Sequence, residues 1–284
     1  MDVDIGTGLI RTLAESELTR VGVFRHGPGA HRDPSEEAFT ADTCILPLAG
    51  AWWFHGAGGR REVGHGVVVA GRGGSCYGAG HDDDRPDDRA LFVQVLDRRS
   101  VAPDGIAERA FAHDVVPRTE RLGCVAAELW DEIRGDDPDR ALATDLLAMR
   151  LTLELARTTG VPSRTAPRSR VADAAADAAR FHLESRFADP IDMAELSRVA
   201  LMSPFHLARV FRARVGTSPH RYLIEVRLRA AEALLRRGDL TVSRIAERTG
   251  FGSPSHLGRR FVERYGMQPS IYRRTFGRGP STDA

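Results

Sequence analysis

The chain has 284 residues, of which 42% are hydrophobic and 28% charged, a composition typical of a globular protein with one or two domains. Its aliphatic runs are a few residues long, far short of the roughly 20 apolar residues of a transmembrane helix, so we expect no membrane partner. Three widely spaced cysteines exclude a disulfide scaffold and predict free thiols in a cytoplasmic protein.

The net charge of +1 combines two unlike parts of the sequence. Residues 1–170 contain 21 basic and 27 acidic side chains, a net of −6, whereas residues 171–284 contain 19 and 12, a net of +7. A basic segment on an acidic chain indicates an anionic partner. Nucleic acid is favoured over a membrane surface, because the segment contains no polybasic amphipathic anchor.

The first part of the chain has the pattern of short strands. From about residue 18 to 97, brief apolar runs alternate with Gly, Pro and Asp, which predicts a small β-sandwich or barrel over residues 1–116. A pocket for a small-molecule effector would lie inside this domain. Aromatic and polar side chains on its strands are the candidates for lining that pocket: Trp52, Trp53, His55, Cys76 and Tyr77.

Two helices are predicted over residues 117–159. Apolar residues from Leu122 to Ile133 recur with helical period, and Gly135–Pro138 ends that helix. The next helix has apolar residues at steps of four and three, the spacing of a coiled-coil seam: Leu142, Leu146, Met149 and Leu153. This pattern fits either a homodimerisation helix or a helix packed on its own domain.

Residues 160–170 (GVPSRTAPRSR) have the composition of an interdomain linker, and an internal repeat follows it. Aligning residues 203–222 with residues 253–272 gives ten identities in twenty positions. Residues 171–274 are therefore predicted to form one domain with two similar halves, with a helix over 171–187 that covers the first half. Residues 275–284 are predicted to be a flexible tail.

Each half of the repeat predicts a helix, a tight turn and a second helix. The second helix opens with Ser-Pro, a cap followed by proline at the first helical position, and it ends at Gly216 or Gly266. Leu and Phe four residues apart point inward, as in Leu207 and Phe211. The outward face then carries several polar residues: His206, Arg209 and Arg212 in the first copy, and Ser255, His256, Arg259 and Arg260 in the second.

This arrangement is that of a helix-turn-helix DNA reader. An arginine on the second helix donates two parallel hydrogen bonds to guanine O6 and N7 in the major groove, which discriminates by about 1–3 kcal/mol. A solvated basic helix face would explain a single arginine. The occurrence of the same pattern twice in a segment of net charge +7 favours DNA.

Residues 171–274 resemble the DNA-binding domain of the AraC/XylS family of transcriptional regulators, most specifically over Ile245–Arg274. The resemblance implies two recognition helices, with Arg209 and Arg259 as the main base-reading residues. The neighbouring residues of both helices complete the implied DNA contacts: Ser203, Pro204, Phe205, His206, Arg212, Ser253, Pro254, Ser255, His256 and Arg260. Pro254 replaces a polar residue that is common in the family, and Leu257 replaces a Phe.

The same resemblance implies a cupin-like N-terminal β-barrel that binds an effector, followed by dimerisation helices. The sequence thus predicts an α+β protein with a C-terminal all-α tandem helix-turn-helix domain. Its expected partners are promoter double-stranded DNA, RNA polymerase, a small-molecule effector and a second copy of the chain. Arg212, Arg214, Arg260 and Arg264 are expected to contact phosphates or to form structural ion pairs.

The main alternative is a cupin-type metal-dependent enzyme or metal sensor fused to a DNA-binding module. A cupin metal site uses two histidines in an H-x-H pair, because imidazoles two residues apart on a strand face the same ion. The histidines of residues 1–116 are dispersed and include no H-x-H. We therefore expect no catalytic residue, no metal and no cofactor. A methyl-accepting DNA-repair sensor is rejected, because three scattered cysteines cannot form its zinc site.

Overall fold

The computed structural model describes residues 2–5, 8–26, 37–80, 88–102, 105–135, 137–160 and 170–277. Its contacts divide the chain into two compact units: residues 1–133 with 144–165 (the β unit), and residues 134–143 with 166–284 (the helical unit). Residues 134–143 belong to the helical unit although they precede the predicted linker at residues 160–170. Almost all of the predicted linker and most of the predicted tail lie outside the described residues.

The β unit contains two antiparallel sheets. The larger has the strand order β1-β2-β3-β10-β5-β8-β11, and the smaller has the order β4-β9-β6-β7. The strand bounds are Asp2–Ile5 (β1), Gly8–Glu15 (β2), Thr19–His26 (β3), Glu37–Ala38 (β4), Asp42–Ala49 (β5), Trp52–Gly56 (β6), Gly59–Val63 (β7), Val67–Gly71 (β8), Cys76–Gly80 (β9), Asp88–Val95 (β10) and Val115–Pro117 (β11).

The antiparallel β region confirms the prediction of a strand-rich domain, but the described strands form two sheets rather than a closed barrel. An apolar cluster includes side chains from both sheets, for example Trp52 and Phe54 on β6 with Val69 on β8. Because successive side chains of a strand point to opposite faces, β6 buries Trp52 and Phe54 while His55 is exposed.

Among the described residues, two short helices lie between β10 and β11, Arg98–Val101 (α1) and Ile106–Ala110 (α2), and two longer ones follow β11, Glu120–Arg134 (α3) and Arg140–Thr158 (α4). The predicted helices α3 and α4 are confirmed. Leu142 and Met149 of the proposed dimerisation seam are buried within the chain, and Leu146 and Leu153 are half-buried. Dimerisation through this seam stays a prediction.

The described residues of the helical unit contain seven further helices, which confirms the predicted tandem arrangement. They are Arg170–Ser185 (α5), Met193–Ala200 (α6), Pro204–Val215 (α7), Pro219–Arg237 (α8), Val242–Arg248 (α9), Pro254–Tyr265 (α10) and Pro269–Phe276 (α11). In the described part of the chain, no helix is both long enough and apolar enough to cross a membrane.

The core of the helical unit has two parts. Ala172 and Ala176 on α5 pack with Val210 on α7, so small residues let these two helices approach closely. A larger cluster joins α8 to α9, α10 and α11 through residues such as Leu235, Ile245 and Phe261. The Leu and Phe that the apolar spacing predicts as inward are buried in both second helices: Leu207 and Phe211 on α7, and Leu257 and Phe261 on α10.

Candidate nucleic-acid interface

The first helix-turn-helix copy consists of α6 and α7. The Asp192 carboxylate accepts a hydrogen bond from the Glu195 backbone N–H at 2.7 Å and so caps α6. Leu201 follows α6 with a left-handed backbone (φ 51°) and makes the turn. Ser203 then precedes Pro204 at the first position of α7, and Gly216 ends the helix with φ 88°.

The second copy consists of α9 and α10, and its second helix also begins with proline at the first position and ends at a glycine, Gly266. Gly250 has the left-handed conformation in its turn, with φ 76°. The Ser253 hydroxyl accepts a hydrogen bond from the His256 backbone N–H at 3.0 Å, so this serine is the N-cap of α10. Both second helices have 12 residues and lie 50 residues apart in the chain, as the repeat predicts.

On α7, the polar side of the helix faces solvent. Ser203, His206 and Arg212 are exposed, and Arg209 is partly buried. The Arg209 guanidinium lies 5.7 Å from the centroid of the Phe205 ring, a cation–π distance, and burial lowers the pKa of Arg209. The Phe205 ring is thus one contact of this partly buried arginine.

Two of the expected DNA contacts of α7 are corrected by the structure. Pro204 and Phe205 are buried in the core of the helical unit. Burial of an apolar side chain is more favourable in free energy than its exposure beside a charged duplex. The Phe205 side chain has no polar atom that needs solvent. Phe205 therefore supports Arg209 from beneath.

On α10, Pro254, Ser255 and Arg259 are exposed, whereas Ser253 is partly buried. Arg260 is partly buried and lies 3.3 Å from the Glu263 carboxylate. Arg259 occupies the position that corresponds to Arg209 at the offset of 50 residues. The two copies therefore place an arginine at the same point of each second helix.

His256 was predicted to face DNA beside Arg259, but the structure buries it completely. Its Nε2 atom lies 3.5 Å from the Asp137 carboxylate, and its ring meets Phe251 edge-on at 5.3 Å. The apolar spacing of the helix did not indicate this position as inward. Asp137 is more than 100 residues away in the sequence, so no local pattern could have indicated the pair.

Three of the surrounding arginines form ion pairs, one of the two roles expected for them. Arg214 lies 3.2 Å from Asp177 on α5, and Arg264 lies 3.1 Å from Glu225 on α8. Arg260 has the contact with Glu263 given above. Arg212 is exposed on α7 and remains the candidate for a phosphate contact.

The predicted effector residues do not share one face in the structure. Trp52 is buried between the sheets, and Tyr77 stacks on Phe39 with 4.2 Å between ring centroids and donates a hydrogen bond to Glu37 at 2.7 Å. His55 and Cys76 are exposed, and Trp53 lies beneath the Arg60 guanidinium. Binding of an effector by these residues stays a prediction.

Comparison with known proteins identifies the class of the helical unit. Residues 196–275 match a family model described as a helix-turn-helix domain. The chain is 43% identical over 82 residues to the HTH-type transcriptional regulator Rv1931c of Mycobacterium tuberculosis, which covers 29% of this chain and 32% of that protein. It is 39% identical over 82 residues to a putative AraC-like transcription regulator of Streptomyces lividans, covering 29% of this chain and 27% of the relative.

Among solved structures, the chain is similar to the DNA-binding domain of the global transcriptional factor AdpA in complex with a target DNA. The identity is 33% with a TM-score of 0.34, covering 37% of this chain and 93% of that one. The chain spans about a third of the length of the curated relatives it matches. Residues 196–275 of this protein are thus a helix-turn-helix domain. This part of the chain is similar to the corresponding part of an AraC-like transcription regulator.

Proposed function

We propose that this protein is a sequence-specific transcriptional regulator that reads promoter double-stranded DNA with both helix-turn-helix copies. The observation that supports this most is the duplicated geometry. Two 12-residue helices that both open with Ser-Pro, α7 and α10, carry Arg209 and Arg259 at equivalent positions. The segment around them has a net charge of +7, which attracts the phosphate backbone.

The helix between the copies has a length suited to DNA. At about 1.5 Å per residue, the 19 residues of α8 span roughly 28 Å. One turn of B-DNA spans about 34 Å, so a rigid spacer of this length suits two readers on one face of the duplex. We infer that α7 and α10 enter successive segments of the major groove.

The residues then divide into two roles. Arg209 and Arg259 read base edges, assisted by the exposed His206 and Ser255. Arg212 contacts phosphates and sets the position of the domain without contributing to sequence choice. The role is one of binding rather than catalysis, as in the regulators to which this chain is similar.

For the whole chain we propose a cytoplasmic homodimer in which the β unit senses a small molecule and the bound regulator contacts RNA polymerase. The half-buried Leu146 and Leu153 of α4 are the part of the seam on which dimerisation would depend. A variant in which both leucines are replaced by Ala tests the dimer. Light scattering measures whether its molar mass in solution falls from that of a dimer to that of a monomer.

The deciding experiment is a selection from random duplex DNA with the full-length protein, followed by affinity measurements at several salt concentrations. We expect a site of two blocks about one helical turn apart, and an affinity that falls steeply with salt because phosphate contacts release counterions. Recovery of no enriched sequence, with only weak salt-sensitive binding, would contradict the proposed function. A single enriched block would contradict the double reader.

A further inference from the structure

Two buried aspartates precede α4 and belong to the helical unit rather than to the β unit. Asp137 and Asp139, which we call the acidic anchor, have relative exposures of only 5% and 1%. Removing a carboxylate from water is costly unless it is paired and hydrogen-bonded. The partners of the acidic anchor therefore show what these residues hold in place.

Asp137 joins α8 to α10. Its Oδ1 accepts a hydrogen bond from the Asp139 backbone N–H at 2.9 Å, which leaves Oδ2 for two imidazoles. His220 Nε2 on α8 lies 3.1 Å from Oδ2, and His256 Nε2 on α10 lies 3.5 Å from the same oxygen. Burial by itself would raise the pKa of Asp137, but the His220 hydrogen bond and the attraction of both imidazoles lower it well below its usual value.

The position of His256 gives this contact its significance. His256 is the third residue of α10, in the first turn of the recognition helix, and Arg259 follows it by three residues. When His256 points inward to Asp137, the rotation of α10 about its own axis is set, and with it the direction of Arg259. The corresponding His206 of α7 is exposed.

Asp139 pairs with Arg227, the buried arginine against which the turn before α10 packs. Its Oδ2 pairs with Arg227 of α8, which is completely buried, and its Oδ1 accepts a hydrogen bond from the Ile191 backbone N–H at 3.1 Å. Arg227 also donates hydrogen bonds to the carbonyl oxygens of Phe187 at 2.6 Å and Asp189 at 3.0 Å. The turn before α10 packs on this group, since a Cβ at Gly250 would lie 2.9 Å from Arg227 Nε.

We propose that Asp137 is a positioning residue for DNA reading, which orients the recognition helix α10 through His256 while leaving α7 unaffected. Residues 134–143 are then a working part of the DNA-binding unit, although they lie outside the repeat. This inference rests on the proposed function, because it concerns how the second block of the DNA site is read.

The test uses the full-length protein and duplexes that carry the selected two-block site. Arg209→Ala and Arg259→Ala first assign each block to α7 or α10. Asp137→Asn then removes the charge between the two imidazoles at almost constant side-chain size. The matched control is Asp177→Asn, which removes a carboxylate from the exposed pair with Arg214 of α7.

The measured quantity is discrimination, the ratio of affinities for the native duplex and for a duplex altered in one block. Both affinities come from the same protein sample, so a smaller folded fraction of a variant cancels from the ratio. We expect Asp137→Asn to lose about tenfold in discrimination at the α10 block, comparable to loss of a good base contact, and to keep it at the α7 block. Asp177→Asn should keep both.

Equal loss at both blocks would show that Asp137 supports both recognition helices rather than α10, and would overturn the proposal. Unchanged discrimination at the α10 block, the result expected if Asp137 only stabilises the unit, would also overturn it. Both results differ from a failure of the proposed function, in which the unsubstituted protein itself recovers no two-block site.

Discussion

The two helix-turn-helix copies have ten of twenty residues in common, yet they bury different side chains at equivalent positions. Phe205 of α7 is buried and the corresponding Ser255 of α10 is exposed, whereas His206 is exposed and His256 is buried. The repeat therefore determines where the helices begin and end. The neighbours of each copy determine which of its polar positions turn inward.

The turns of the two copies also differ in how closely they pack against the rest of the helical unit. Leu201 makes the first turn with a left-handed backbone and is 93% exposed. Gly250 makes the second turn, where a Cβ would lie 2.8 Å from the Ala188 carbonyl oxygen. The second copy is thus packed against the rest of its unit at a point where the first copy is open to solvent.

The largest expected effect on stability concerns the buried Asp139–Arg227 pair, against which the turn of the second copy packs. Asp139→Asn leaves the Arg227 guanidinium buried without its charged partner, which should lower the free energy of unfolding by about 3–5 kcal/mol. Denaturant unfolding of the full-length protein measures this. If the loss is only a few tenths of a kcal/mol, the contrast between an anchored and an open copy is wrong.

A matched control for that substitution is Asp177→Asn, in the exposed ion pair that links α5 to α7 of the first copy. Exposed ion pairs contribute little to stability, so this variant should unfold almost like the unsubstituted protein. A similar loss from both substitutions would mean that burial does not distinguish the two copies.

The next prediction places the turn residue of the first copy, Leu201, at the corresponding position of the second copy, Gly250. Gly250→Leu introduces a side chain at a φ of 76° and against the Ala188 and Phe187 carbonyl oxygens. Backbone strain and overpacking together should destabilise the helical unit by about 2–4 kcal/mol. Thermal unfolding followed by circular dichroism measures it. An unchanged midpoint would show that the turn is free to move away from Phe187.

A smaller effect compares the two readers directly. Arg209→Ala should relax sequence choice in one block of the DNA site and Arg259→Ala in the other, each by about 1–3 kcal/mol of discrimination. Affinities for duplexes altered in one block at a time measure this. Equal losses of affinity on every duplex would identify these arginines as phosphate contacts instead.

Much of the helical unit follows from its sequence, because its signals are local. The Ser-Pro openings, the terminal glycines and the spacing of Leu207 with Phe211 depend on residues within one helix, and the structure confirms the helices that they predict. The strand-rich character of the β unit also follows from short apolar runs between about residues 18 and 97. The division of its strands into two sheets depends on pairing between distant segments such as β3 and β10, which no local pattern specifies.

The candidate site was only partly predictable for the same reason. The exposure of Arg259 follows from the period of α10, whereas the burial of His256 depends on Asp137, far away in the chain. A histidine between Ser255 and Leu257 gives no sign of an inward partner. The sequence signal for this contact is Asp-Pro-Asp at residues 137–139, with two acidic residues at a helix start. Such a sequence indicates an ordinary helix cap equally well.

The smallest expected effect has the opposite sign and tests the open first copy. Leu201 has φ 51°, a conformation that costs a non-glycine residue about 1–2 kcal/mol, and its side chain is almost fully exposed. Leu201→Gly removes that strain and loses little packing, but it also adds freedom to the unfolded chain. The net result should be a gain of about 0.5–1 kcal/mol in the free energy of unfolding, measured with denaturant. A loss of stability would show that Leu201 is held by contacts in solution, and the first turn would then be packed as the second one is.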